Sequence, residues 1–292
     1  MGYAGCILSE CVAAHLSETV EKTAEYGTID QNRVISNCRI TDECNEPLVR
    51  AFDKGRHMEQ EGVRINKYLS DAGVCSRREA DRLIEEGVVT VNGEVATLGT
   101  RVMPGQKVKV RGKEATLTKK DDKVVLAFHK PRGVECTSDR SNPDNIIDYI
   151  HYDKRIYTVG RLDKNSSGLI LLTNDGDLAN RIAKAGEGHE KEYLVRVDKP
   201  LTPEFLYSMA HGVPVLGKKT APCRVQQIGE CFFRIVLIQG MNRQIRRMCE
   251  YLEYKVVALK RVRVMNILLG DLPSGQYREV TPKELTELKK LL

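Results

Sequence analysis

From Val124 onward, apolar runs of β type alternate irregularly with stretches of helical period, and this interleaving constrains the fold more than any other feature of the 292-residue chain. Strands are expected at 124–128, 156–159, 169–172, 191–197, 232–238 and 256–264, with helices near 177–184, 203–211 and 243–252 and a last one from Pro282. Thr202-Pro203 and Thr281-Pro282 each place a capping residue before a proline at the first helical position. A doubly wound parallel sheet needs strand and helix in regular alternation, so the irregular order points to an α+β fold with a mixed sheet.

A smaller patterned unit precedes this one, over 63–111. Ile65, Tyr68, Leu69 and Ala72 recur at helical spacing and Gly73 closes that helix. Ser76-Arg77-Arg78-Glu79 reads as a capping box, with Ala80, Leu83 and Ile84 as the buried stripe of a second helix. Val88 to Val91 is a strand, Asn92-Gly93 a two-residue hairpin turn, and Val108 to Val110 a further strand. The polar stretch 112–122 reads as a linker, and 123–292 as the larger domain. Residues 1–60 have weak periodicity and four of the nine cysteines. They are expected to be an unmatched extension, either disordered or non-native upstream sequence joined to a start at Met58.

Charge divides along the same line. Residues 1–60 hold six bases against ten acids, the remainder 40 against 30, so the excess of positive charge belongs to the patterned part. Concentrated basic charge suits a polyanion such as nucleic acid; a merely soluble basic protein would carry it too. No apolar run reaches the ~18–20 residues that span a bilayer, and no Cys-x-x-Cys or His-Glu-x-x-His spacing suggests a metal. Neither a membrane nor a metal or other cofactor is expected, and the odd number of cysteines reads as reduced thiols in a cytoplasm.

Three segments can carry chemistry. Gly160-Arg161-Leu162-Asp163-Lys164-Asn165-Ser166-Ser167-Gly168 joins two apolar strands. It is either an ordinary polar turn or a rigid one that holds a carboxylate among cations, able to act as nucleophile or base. Tyr193 falls on one strand face with Val195 and Val197 and by default is a core tyrosine with one polar end. Asn242 caps the third segment, where Ile245, Met248, Cys249 and Leu252 form an apolar stripe and turn Arg243, Arg246 and Arg247 to the other face. Three arginines in a first helical turn oppose the helix dipole, which suits phosphates or a carboxylate better than stability alone. Lys260, Arg261 and Arg263 on the next strand would continue this basic surface, and Arg64, Lys67, Arg77 and Arg78 lie beside the two short helices.

Taken together, 63–110 with Arg-Ile-Asn-Lys-Tyr-Leu, Cys-Ser-Arg-Arg-Glu-Ala-Asp and Val-Asn-Gly resembles an S4 RNA-binding domain. Residues 124–290 resemble the catalytic domain of RsuA-type ribosomal RNA pseudouridine synthases, through Lys130-Pro131-Arg132-Gly133, Gly160-Arg161-Leu162-Asp163, Lys191-Glu192-Tyr193-Leu194-Val195 and Asn242 to Met248. The resemblance implies a small S4-type α/β domain followed by a mixed, mainly antiparallel sheet flanked by helices. It implies isomerisation of specific uridines in a stem-loop of large-subunit ribosomal RNA, without cofactor or metal; transfer RNA is left open as a second substrate, and a monomer is expected because no oligomerisation signal stands out in the sequence. The family's essential aspartate carries over to Asp163, its tyrosine to Tyr193 and its basic residue to Arg246, which is expected to pair with Asp163. Ile245 and Leu162 would line the site, and Arg161, Lys164, Arg243, Gln244 and Lys130 would touch RNA together with Arg64, Lys67, Arg77 and Arg78. Cys136 stands where a smaller or more apolar residue is expected. Two other readings compete: a domain that only holds RNA, and a glycosidic hydrolase with Asp175 or Asp177 as second carboxylate.

Overall fold

In the smaller unit, strand β1 (Val63–Arg64) leads into helices α1 (Ile65–Asp71) and α2 (Arg77–Glu85), which pack through Ile65, Leu69, Ala80, Leu83 and Ile84. Ser76 caps α2 by accepting the Glu79 amide at 3.1 Å, while the Glu79 carboxylate bonds Arg82 instead of completing the capping box. Strands β2 (Val89–Val91) and β3 (Glu94–Val95) turn through Asn92 and Gly93 at φ 50° and 95°, the positive pair that a type I′ turn requires. Strand β4 (Arg101–Val102) pairs with β1, and β5 (Val108–Val110) pairs with both β2 and β6 (Lys113–Ala115). The expected linker at 112–122 therefore begins inside this sheet: Ala115 is buried opposite Val108, in a stretch too short and polar to show an alternating pattern.

The computed structural model describes residues 62–117, 122–184 and 188–292; the expectations for 1–60 lie outside them. The larger part contains β7 (Val125–Lys130), α3 (Ile146–Ile150), β8 (Tyr157–Val159), β9 (Ser167–Thr173), α4 (Gly176–Ala183), β10 (Lys191–Val197), α5 (Pro203–His211), β11 (Pro214–Val215), β12 (Lys218–Lys219), β13 (Arg224–Gly229), β14 (Phe232–Leu237), α6 (Gln244–Tyr251), β15 (Val256–Val264), β16 (Ile267–Leu268), β17 (Tyr277–Glu279) and α7 (Pro282–Lys290). Its sheet runs β13-β14-β10-β15-β9-β7-β17, with β8 also on β9 and β16 on β15. Every pairing is antiparallel except β9 with β15, so the sheet is mixed and mainly antiparallel. Thr202 and Thr281 cap α5 and α7 with proline at the first position, as the sequence indicates.

One edge of β9 is shared, and this split makes the site. Ser167 and Gly168 pair with β15, whereas residues 171–173 pair with β8. The strands can approach there because residue 168 is glycine: a Cβ would lie 2.1 Å from the Arg261 carbonyl oxygen, and φ is +107°. Alternate residues of β7 and β9 are buried on opposite faces. Ala127, Leu169 and Leu171 join Ile182 and Leu288; Leu126, Phe128, Ile170 and Leu172 join Ile146 and Ile150. A third cluster joins β10, β14, α5 and α6 through Val195, Phe233, Phe205, Met209 and Met248.

Lys67 does not face an open RNA surface. Its ammonium bridges Asp177 at 2.9 Å and Asp71 at 3.2 Å, and Arg155 donates to Ser70, so α1 is fastened to the larger part. Asp177, offered by the sequence as a hydrolase acid, is occupied in that bridge, and Asp175 caps α4 and pairs with Lys123. Arg64, Arg77 and Arg78 are exposed.

Candidate active site

The loop from β8 to β9 is held on three sides. Arg246, on the first turn of α6, donates to the Asn165 carbonyl at 3.1 Å and to the buried Ser166 hydroxyl at 3.2 Å. The Leu162 amide donates to the Cys136 sulfur at 3.3 Å. The Lys164 carbonyl accepts from the Gly133 amide at 2.9 Å and from the Lys130 ammonium at 3.3 Å. Asp163 lies at the centre, its carboxylate 3.6 Å from Arg246 Nε. Burial pulls the Arg246 guanidinium below arginine's usual range and the Asp163 charge opposes this; arginine starts so high that it stays protonated. Its side chain is 12% exposed, that of Asp163 34%, so the pair is sheltered but the carboxylate is open to a ligand.

A cleft of about 210 Å³ opens over this loop, with Asp163, Arg161, Tyr193, Arg243, Ile245 and Arg261 among its lining residues. Tyr193 on β10 stands across from Arg261 on β15 and Ile235 on β14. Ile245, Leu237 and Leu259 supply apolar wall, and Lys191 a further cation. The structure thus brings together Asp163, Tyr193, Arg246, Arg161, Arg243, Leu162 and Ile245, which come from the β8–β9 loop, β10 and the start of α6, up to 85 positions apart.

Other expected contacts are placed differently. Lys130 is fully buried, and its ammonium donates to the carbonyls of Pro131 at 2.8 Å, Val134 at 2.6 Å and Lys164. It fastens the 131–134 turn to the Asp163 loop and cannot reach RNA; burial lowers its pKa. Replacing it by methionine leaves buried carbonyls without a donor. Lys130→Met should therefore lose about 2 kcal/mol of stability in a denaturant melt with RNA affinity unchanged; weakened RNA binding at full stability would contradict the assignment. Gln244 is 4% exposed; it accepts the Met241 amide, bonds Gln239 and so shapes the turn before α6, while also lining the Asp163 cleft. Lys164 is exposed but paired with Asp144 at 2.7 Å. Asn242 does not cap α6: that position is Arg243, with φ 51° and no side-chain cap bond, while Asn242 accepts from Arg247. Arg263 is no part of a basic surface, since it pairs with Glu190 and Glu192 at 3.0 and 2.9 Å.

Three residues escaped the sequence reading as site residues. Cys136 fits its place because its sulfur accepts the Leu162 amide where an aliphatic side chain could not. Arg132 is exposed on the turn bonded to the Asp163 loop and adds positive charge near Arg246. Its position inside the Lys130–Gly133 motif was the available signal. Arg261 lies within the cleft instead of on the surface.

Two family models match the chain: an RNA pseudouridylate synthase model over residues 124–251 and an S4 domain model over residues 63–108. These define an RNA-modifying enzyme with an RNA-binding module in front. The dual-specificity RNA pseudouridine synthase RluF of Salmonella typhi is 52% identical over 230 residues, which span 79% of this chain and 80% of that one. The ribosomal large subunit pseudouridine synthase B of Bacillus subtilis is 35% identical over 237 residues, 78% of this chain and 96% of the relative. A crystal structure of a pseudouridylate synthase superposes with a TM-score of 0.57 at 26% identity, covering 79% of this chain and all of that one. The chain belongs to the RsuA family of RNA pseudouridine synthases. It is therefore an isomerase that acts on RNA, and none of its described helices is long and apolar enough to cross a membrane.

Proposed function

We propose that this enzyme isomerises one or a few specific uridines in large-subunit ribosomal RNA, with a transfer RNA as a second substrate, acting as a cytoplasmic monomer. The similarity to the RluF enzymes, which are dual-specificity RNA pseudouridine synthases, supports a second kind of RNA substrate. The observation that carries the catalytic reading is the Asp163–Arg246 pair beside Tyr193 in a cleft with apolar walls. A uracil inside folded RNA must leave its stack, at a cost of a few kcal/mol, before any group can reach its glycosidic bond. Tyr193 then packs on the flipped base, Arg161 fills the vacated space, and Arg243 binds phosphate near the loop. Asp163 is the group on which bond cleavage depends, kept charged and oriented by Arg246. The net change is cleavage of N1–C1′ and formation of C5–C1′, with a proton leaving C5 and one returning to N1.

The exposed Arg64, Arg77 and Arg78 are proposed to bind the backbone of a stem-loop, selected by shape. Charge reversal at Arg77 and Arg78 should raise the Kd for RNA at least ~10-fold while leaving the rate at saturating RNA within ~2-fold. Filter binding and single-turnover kinetics check this, and unchanged affinity would remove the S4 domain from binding. The activity itself is tested by mapping carbodiimide-marked pseudouridines in ribosomal and transfer RNA from cells with and without the gene. Sites that vanish and return with the wild-type gene name the substrates; a map that does not change, together with a purified protein inert on bare ribosomal RNA, would defeat the proposal.

A further inference from the structure

Two buried polar side-chain atoms among the described residues have no hydrogen-bond partner, and one is Nη2 of Arg261, a residue lining the Asp163 cleft. Arg261 is 4% exposed. Its Nε donates to the Leu169 carbonyl at 2.7 Å, just beyond the point where β15 parts from β9. Across the strand it faces Tyr193, so the two side chains spring from the same face roughly 5 Å apart at Cβ.

A buried guanidinium is costly unless its charge and protons find partners, and an apolar side chain would fill this position without that penalty. Arg261 makes no ion pair with a carboxylate among the described residues. Lys191 lines the same cleft and donates to the His189 carbonyl; burial and the charge of Arg261 both lower its pKa. Two sheltered cations thus lie in the cleft that holds the Asp163 carboxylate. The nearby walls, Leu237, Ile245 and Leu259, are apolar and buried, which suits a flat base better than a phosphate with its water.

In the isomerisation proposed above, on which this inference rests, heterolysis of N1–C1′ leaves the bonding pair on the base, where it spreads over N1, O2 and O4. Carbon C5 then bonds to C1′, the C5 proton leaves and N1 regains a proton, so the product is an isomer of the substrate. The exocyclic oxygens are the acceptors whose charge grows as the bond breaks. We propose that Arg261 is a further catalytic residue: anchored on Leu169 through Nε, it turns Nη2 to a carbonyl oxygen of the flipped uracil and stabilises the charge on the departing base.

The test compares wild type, Arg261→Gln and Arg261→Lys on the target stem-loop carrying uridine, 2-thiouridine or 4-thiouridine at the modified position. Sulfur is the weaker acceptor, so the wild type should slow on one of the two thio-substrates. On uridine, Arg261→Gln should lose ~100-fold in kcat with KM within ~2-fold, because the interaction belongs to the transition state. On the thio-substrate that slows the wild type, it should show no comparable further loss. Arg261→Lys keeps the charge and a donor for Leu169, and shows the same non-additivity should Arg261→Gln fold poorly. Losses that multiply on both thio-substrates, or a raised KM at unchanged kcat, would overturn the assignment while leaving the isomerase activity standing. A wild-type enzyme inert on the uridine RNA would defeat the underlying activity instead, and the proposal with it.

Discussion

Asp163→Asn should bind substrate RNA with wild-type affinity and turn it over at least ~10³-fold more slowly, since asparagine fits the same loop but offers neither a nucleophile nor a base. The loop does not depend on the carboxylate for its shape. Its backbone is held by Arg246 at Asn165 and Ser166, by Cys136 at Leu162, and by Gly133 and Lys130 at Lys164. The exposed cations proposed to bind RNA are left in place by the substitution. Filter binding together with single-turnover conversion separates the two effects. Turnover within ~10-fold of wild type would show that the carboxylate takes no part in the chemical step.

Arg246→Met should have the second largest effect, lowering kcat ~100-fold and stability by about 2 kcal/mol, because one side chain serves both the charge and the loop. The loss of the ion pair leaves Asp163 without its 3.6 Å partner in a sheltered cleft. The loss of the donors releases the carbonyls of Asn165 and Val256 and the hydroxyl of Ser166. Since Asp163 is 34% exposed, water can screen part of the first loss, and the stability figure is smaller than for a fully buried pair. Arg246→Lys should recover ~10-fold in kcat, because an ammonium restores the charge but cannot reproduce the planar fork that meets several acceptors at once. Kinetics on both variants, with a denaturant melt, check the prediction; equal activity of the methionine and lysine variants would leave no role for the charge.

Patterns that depend only on neighbouring residues were legible. Thr202 and Thr281 cap their helices because a hydroxyl before proline satisfies an amide three residues on, whatever surrounds it. Strands 191–197 and 256–264 have the bounds expected, since their apolar residues recur at strand spacing over a long stretch. Short or polar elements were not legible: α3 has five residues, too few for a helical period, and β13 is a largely exposed edge strand whose polar residues resemble a loop. At the site, the motifs supplied Asp163, Tyr193 and Arg246 as residue types in family order, but Asn242 looked like a cap that Arg243 displaces.

By itself the sequence determined the α+β class and the two patterned units, because periodicity and turn chemistry are properties of the chain, and the family resemblance of its motifs pointed to Asp163, Tyr193 and Arg246 as partners in one reaction. Only the tertiary structure decided which cations face the cleft. Lys130 turns inward onto three carbonyls, Lys67 fastens α1 to Asp177, and Arg263 is taken up by two glutamates. Arg261 is drawn into the cleft where Gly168 lets β15 meet β9 and the strands then part. A charge run in sequence is silent on these choices, since the partner that binds each cation, or fails to, is brought to it by pairings between distant strands.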